Sequence, residues 1–140
     1  PTTALDVTIQ AQILEMMKEL KSSLNTSMIL ITHDLGVVAE ICDMVAIVYA
    51  GEIVEFGPIG EIYNDPRHPY TIGLFQSIPS LDEDVERLIP IPGLMPDPTD
   101  LPSGCPFWPR CAYAEERCRK SAPPVSEKAP GHFSKCFRAD

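Results

Sequence analysis

From Val7 to Leu24 the residues Ile9, Ile13, Met16, Met17, Leu20 and Leu24 recur at the spacing of one helical face, with Glu15, Lys18, Glu19 and Lys21 mostly between them. The pattern predicts a surface helix with one buried side. Asp6 stands just before it, where a carboxylate caps the free N–H groups of a first turn. Asn25-Thr26 then turn the chain into Ser27–Thr32, whose β-branched and apolar run predicts a strand buried on both faces, as in a parallel sheet. Leu35–Cys42 suits a short helix, and Met44–Tyr49 reads as a second buried strand. Ala50-Gly51 separates it from Glu52–Phe56, where apolar and charged positions alternate with a period near two, which predicts a hairpin. Gly57-Pro58 ends the hairpin. Ile59–Tyr63 predicts a short helix that stops before Asp65-Pro66, and His68-Pro69-Tyr70 starts another running through Ser77.

The pattern is thus α/β through residue 78, with the order strand, helix, strand of the trailing half of such a domain. It changes afterwards. Residues 79–140 hold 11 of the 15 prolines and four of the five cysteines, so few regular elements are expected and something other than a core must hold the segment. We therefore divide the chain into 1–78 and a small, irregular, metal-stabilised extension over 79–140. Within the extension, Ile89–Pro102 reads as a polyproline-like strap across the first part.

Charge narrows the classes of partner. With 20 acidic and 11 basic side chains, a net charge of -9 and a pI near 4.7, the chain is a poor nucleic-acid binder and offers no polybasic membrane anchor. It has neither a run of about 18 apolar residues nor the basic-then-apolar order of a secretory signal. A soluble, cytoplasmic chain is expected. It begins at Pro1 inside what reads as a motif, so a fragment is expected as well.

His33 and Asp6 carry the first candidate chemistry. Thr32-His33-Asp34 follows the predicted strand, and the carboxyl ends of buried parallel strands are where open α/β sheets bind ligands. Alone, such a histidine is as readily a buried, hydrogen-bonded side chain. Pro1-Thr2-Thr3-Ala4-Leu5-Asp6, the helix and Ile31-Thr32-His33-Asp34 together resemble the D-loop and H-loop of an ATP-binding-cassette (ABC) ATPase, a P-loop NTPase. The resemblance implies that His33 reaches the γ-phosphate of ATP bound with Mg2+, and that Asp6 crosses a dimer interface to couple two nucleotide sites. Imidazole suits that role, because phosphoryl transfer is catalysed by positioning and by stabilising charge. The resemblance puts the catalytic glutamate just before the position of Pro1, and the 140 residues contain no Gly-rich phosphate loop. Alone they are expected to be inactive.

Cys105, Cys111, Cys118 and Cys136 stand as C-x5-C-x6-C-x17-C. Disulfides, a structural Zn2+ and an iron–sulfur cluster are all compatible with four thiols. A cytoplasmic location disfavours disulfides, the spacing departs from the close pairs of zinc knuckles, and a cubane spreads its thiolates over four irons. Arg110, Arg117, Arg119, Lys120, Lys135 and Arg138 crowd these cysteines, as would suit a centre of net negative charge. Phe107 and Trp108 would shield it. Cys42 reads as a small hydrophobe, and His132 as a surface residue or a support behind the ligands. Leu101-Pro102-Ser103-Gly104-Cys105-Pro106-Phe107, Pro109-Arg110-Cys111, Cys118, Gly131-His132 and Cys136, with His68-Pro69-Tyr70-Thr71 and Ser77-Ile78-Pro79, resemble the C-terminal extension of oligopeptide and dipeptide transporter ATPases.

That resemblance implies a [4Fe–4S] cluster on the four cysteines, with Zn2+ as the alternative. It implies an ATPase that energises peptide import and lies on the inner face of the cell membrane. Its partners would be a second, identical or related ATPase, membrane permease subunits and, indirectly, an external peptide-binding protein. Dipeptides, oligopeptides and nickel remain open as cargo. The competing class is a metal-binding or redox interaction module on an α/β scaffold.

Overall fold

The computed structural model describes residues 7–78 and 90–138. Asp6, the expected helix cap and D-loop residue, lies outside the described residues. Two compact units make up the chain, residues 1–43 and residues 44–140.

In the first unit, α1 (Val7–Ser23) and α2 (Leu35–Ile41) form where the apolar spacing puts them, but of the face expected to be buried Ile9, Met16, Leu20 and Leu24 are exposed, and Leu14 is buried instead. Asp34 caps α2 by accepting from the Val37 N–H at 3.1 Å. Leu14, Val37 and Ile41 make the small core, with Met17, Leu30 and Cys42 packed against it. Lys18 and Lys21 of α1 pair with Glu40 and Asp43 at the far end of the unit's sequence. The buried strand expected over residues 27–32 does not form. No ladder is made there, and Ile29 and Ile31 are 91% and 93% exposed. A strand is completed by its neighbours' N–H and C=O groups, and no described segment pairs with this one.

The second unit begins with the predicted hairpin, β1 (Met44–Tyr49) and β2 (Glu52–Pro58), paired antiparallel. Ala50 and Gly51 both take positive φ, 49° and 80°, the combination that matches strand twist in a two-residue turn. β1 was expected to be buried on both faces; instead Val45, Ile47 and Tyr49 point inward while Met44 and Val48 are exposed. An antiparallel sheet covered on one side gives this alternation. α3 (Ile59–Asn64) and α4 (Pro69–Gln76) follow, each with a proline at or beside its start.

The extension is more regular than its composition suggests. After a single 3₁₀ turn (Trp108–Arg110) and α5 (Glu116–Lys120), β3 (Ser126–Ala129) and β4 (His132–Ser134) join the hairpin in one sheet of order β1-β2-β4-β3. The described sheet is therefore antiparallel, not the parallel one expected. β4 pairs with β2 through Glu55–Ser134 and Phe56–Phe133. The stretch from residue 90 to 105 has no regular element, as predicted for the strap, and is pinned by Arg110. The Arg110 guanidinium donates to the carbonyls of Pro92 at 2.9 Å and Ile91 at 3.2 Å, while Ile91 lies where a side chain on Gly73 would fall.

Candidate functional site

A bulge in β2 sets the centre of the second unit. Ile47 opposes Glu55 while Val48 opposes Ile53, so Val54 is the extra residue, and its carbonyl accepts from the Lys135 N–H at 2.8 Å. By simple alternation Glu55 would share the exposed face of Ile53. The bulge turns it inward, where it is 1% exposed.

A buried carboxylate needs donors, and Glu55 has three. Its Oε1 accepts from the Arg67 N–H at 2.6 Å, its Oε2 accepts from the His68 N–H at 2.9 Å, and Oε1 lies 2.7 Å from His132 Nε2. With both amides donating, the consistent role for His132 Nε2 is a donor as well. His132 and Glu55 side chains are both fully buried. His132 is thus not the surface residue that four competing cysteines suggested; it ties β4 to β2 from inside the sheet. Gly57 makes room for it, since a Cβ there would stand 3.2 Å from the ring.

The same carboxylate positions the His-Pro-Tyr turn. His68 is 1% exposed and caps α4, its Nδ1 accepting from the Tyr70 N–H at 3.1 Å. Burial pushes the imidazole down to about 4, so the ring is neutral near pH 7 with its proton on Nε2. Beside it, Tyr49, Tyr70 and Phe107 form a cluster of rings 4.7 to 5.5 Å apart that joins β1 and α4 to the cysteine loop.

All four cysteines of the extension line one cavity, with His68, Phe107 and Trp108 in its wall. Among the described residues no disulfide joins them. The loop is closed by the Cys105 N–H, which donates to the Cys118 carbonyl at 2.8 Å across Gly104. Gly104 takes a φ of +79°, and a Cβ on it would lie 2.3 Å from that carbonyl. Burial pushes the Cys105 thiol up, while the backbone N–H groups of Phe107 and Trp108 act on it in the opposite direction. Burial likewise raises Cys111, opposed by the Tyr113 N–H. N–H groups directed at sulfur favour the thiolate, the form that binds metal.

Among the described residues no three His, Cys, Asp or Glu side chains converge as a single ion requires. Three arginines surround the cavity through aromatic rings: Arg117 over Phe137 at 5.0 Å, Arg119 over Trp108 at 4.7 Å and Arg138 over Tyr113 at 3.8 Å.

The other predicted site residues are elsewhere. His33 is exposed in the bend between residue 32 and α2, where the Asp34 N–H donates to Thr32 Oγ1 at 3.1 Å. Cys42 is half-buried against the core of the first unit, away from any thiol partner in that unit, as a small hydrophobe would be. No helix among the described residues is long and apolar enough to cross a membrane.

Residues 54–118, from the bulge through His68 to Cys118, match the family described as Oligopeptide/dipeptide transporter, C-terminal region. Over 99% of its length it is 50% identical to a peptide import ATP-binding protein of Brucella ovis, of which it covers 43%. It is 51% identical to the oligopeptide transport ATP-binding protein OppD of Escherichia coli, again over 99% of the chain, covering 41% of that protein. The corresponding protein of Salmonella typhimurium is 50% identical with the same coverage. The chain thus spans well under half the length of these relatives.

Proposed function

We propose that this chain is part of an ATP-binding subunit that energises import of di- or oligopeptides through a membrane permease. The observation that carries this reading is identity of about half over 99% of the chain to peptide import ATP-binding proteins. In this reading His33 contacts the γ-phosphate of ATP bound with Mg2+, and Asp6 couples the site to that of a second ATPase subunit. The subunit lies on the cytoplasmic face of the membrane, against the permease, which receives peptide from an external binding protein. The exposure of His33 and of the segment before it suits residues completed by other parts of a longer protein. The test is His33→Ala in the intact subunit assembled with its permease. Turnover should fall about a hundredfold, the cost of losing one donor to developing charge, with ATP binding kept. Unchanged turnover would remove His33 from the reaction.

The same reading places a [4Fe–4S] cluster on Cys105, Cys111, Cys118 and Cys136. Two observations support it: the four thiols share one cavity, and backbone N–H groups act on the Cys105 and Cys111 sulfurs. When bound, the cluster supplies four iron–thiolate bonds that close the extension on itself. The protein purified without oxygen should carry about four iron and four sulfide per chain, and Cys111→Ser should abolish its colour. One zinc per chain and no sulfide would replace the cluster by the alternative.

A further inference from the structure

Trp108 stands in the wall of the four-cysteine cavity, and its indole N–H is buried with no acceptor in the protein. An indole nitrogen only donates, so a buried one calls for an acceptor. In the same wall, His68 Nδ1 already holds the Tyr70 N–H, and the Glu115 carboxylate is paired with Arg117 at 2.8 Å. The four cysteine sulfurs line the cavity beside the indole. A neutral thiol accepts weakly, whereas a metal-bound thiolate or an inorganic sulfide carries negative charge and accepts well.

The ring is also held in place. Arg119 lies over it at 4.7 Å, and the Arg119 carbonyl accepts from Ser103 Oγ at 3.0 Å, which ties the guanidinium's own backbone to the cysteine loop. A cation on the π face draws electron density from the ring and makes the N–H a better donor.

We propose that the Trp108 indole N–H is a hydrogen-bond donor to a sulfur of the centre held by the four cysteines, a positioning residue that favours the centre's more negative, reduced state. The inference rests on the cluster reading above. Hydrogen bonds to sulfur and local charge are among the factors that set the potential of such clusters, and groups behind the ligands commonly change metal retention by 10–100-fold.

The experiment uses the full-length subunit purified without oxygen, as wild type and as Trp108→Phe, which keeps a ring in the wall and removes the N–H. Iron and sulfide are counted, the midpoint potential is measured by redox titration, and cluster loss to a chelator is timed. The exchangeable-proton coupling of the reduced cluster is read by pulsed electron paramagnetic resonance. Trp108→Phe should keep its iron, titrate at a lower potential, lose the cluster about tenfold faster and lack one exchangeable proton. If Trp108→Phe loses the cluster outright, Trp108→benzothienylalanine keeps the fused ring, replaces the N–H by sulfur and is read in the same way. A variant that holds its cluster at the wild-type potential, with wild-type loss and proton coupling, overturns this donor and leaves the cluster reading standing. A wild-type protein without iron and sulfide overturns both.

Discussion

Glu55 is the residue on which most of the second unit converges, because one carboxylate receives β4 through His132 and the turn before α4 through two amides. Truncating one member of a buried pair costs about 3–5 kcal/mol, since the partner is left without compensation. Glu55→Ala should therefore lower stability by about that amount and His132→Ala by somewhat less, as read from urea midpoints; an effect under about 1 kcal/mol would make the pair incidental. His68 makes stability depend on pH. Its folded value near 4 lies below the unfolded 6.5, so the unfolded chain binds the proton first. The stability due to a neutral His68 is whole above about 6.5, falls as pH drops toward 4, and levels off below, a change of about 3 kcal/mol. His68→Gln should flatten the urea midpoint between pH 6.5 and 4; an unchanged slope would assign the acid sensitivity to other groups. None of this was visible in the pattern around Glu55, because alternation from Ile53 puts that residue on the solvent face and the bulge reverses it.

Among elements, the hairpin was the most legible, because its turn chemistry is local: two residues, one of them glycine, between alternating runs. Ala50 nevertheless occupies a left-handed conformation at φ 49°, which costs an alanine about 1 kcal/mol. Ala50→Asn, which restores the preferred Asn-Gly pair, should raise the melting temperature by a few degrees; a lower value would mean the turn relaxes in another way. The cysteine loop depends on Gly104 for a different reason. There the closure itself leaves no room for a Cβ, with the Cys118 carbonyl 2.3 Å from where it would stand. Gly104→Ala should separate Cys105 from Cys118 and lower iron retention at least as far as Cys111→Ser does, while leaving β1 and β2 folded by circular dichroism. Full iron content in Gly104→Ala would show that the loop closes without that hydrogen bond. The helices were legible from spacing and from the prolines that bound them. The stretch 27–32 was not, since its composition is that of a strand while its pairing depends on partners that no described segment provides.

At the scale of the whole molecule, the first unit exposes Ile9, Met16 and Leu20 of α1 together with Leu24, Ile29 and Ile31. Each is a large apolar side chain whose burial would be favourable, and the chain spans 41–43% of the relatives it matches. The 140 residues alone, without a phosphate loop among them, should release no phosphate from ATP in a turnover assay; steady hydrolysis that His33→Ala abolished would show a complete site within them. By itself the sequence determined what neighbours along the chain decide: helix spacing, the two-residue turn, the proline-broken strap and the four cysteines with their family resemblance. Only the tertiary structure decided that Glu55 points inward, that His132 is buried on it, that His68 joins the cysteines around one cavity and that residues 27–32 lack a ladder. Turns and caps are set by contacts a few residues long. Burial, pairing and cavity walls are set by residues that meet across long stretches of chain, 77 positions for Glu55 and His132, and no local pattern encodes which of them will meet.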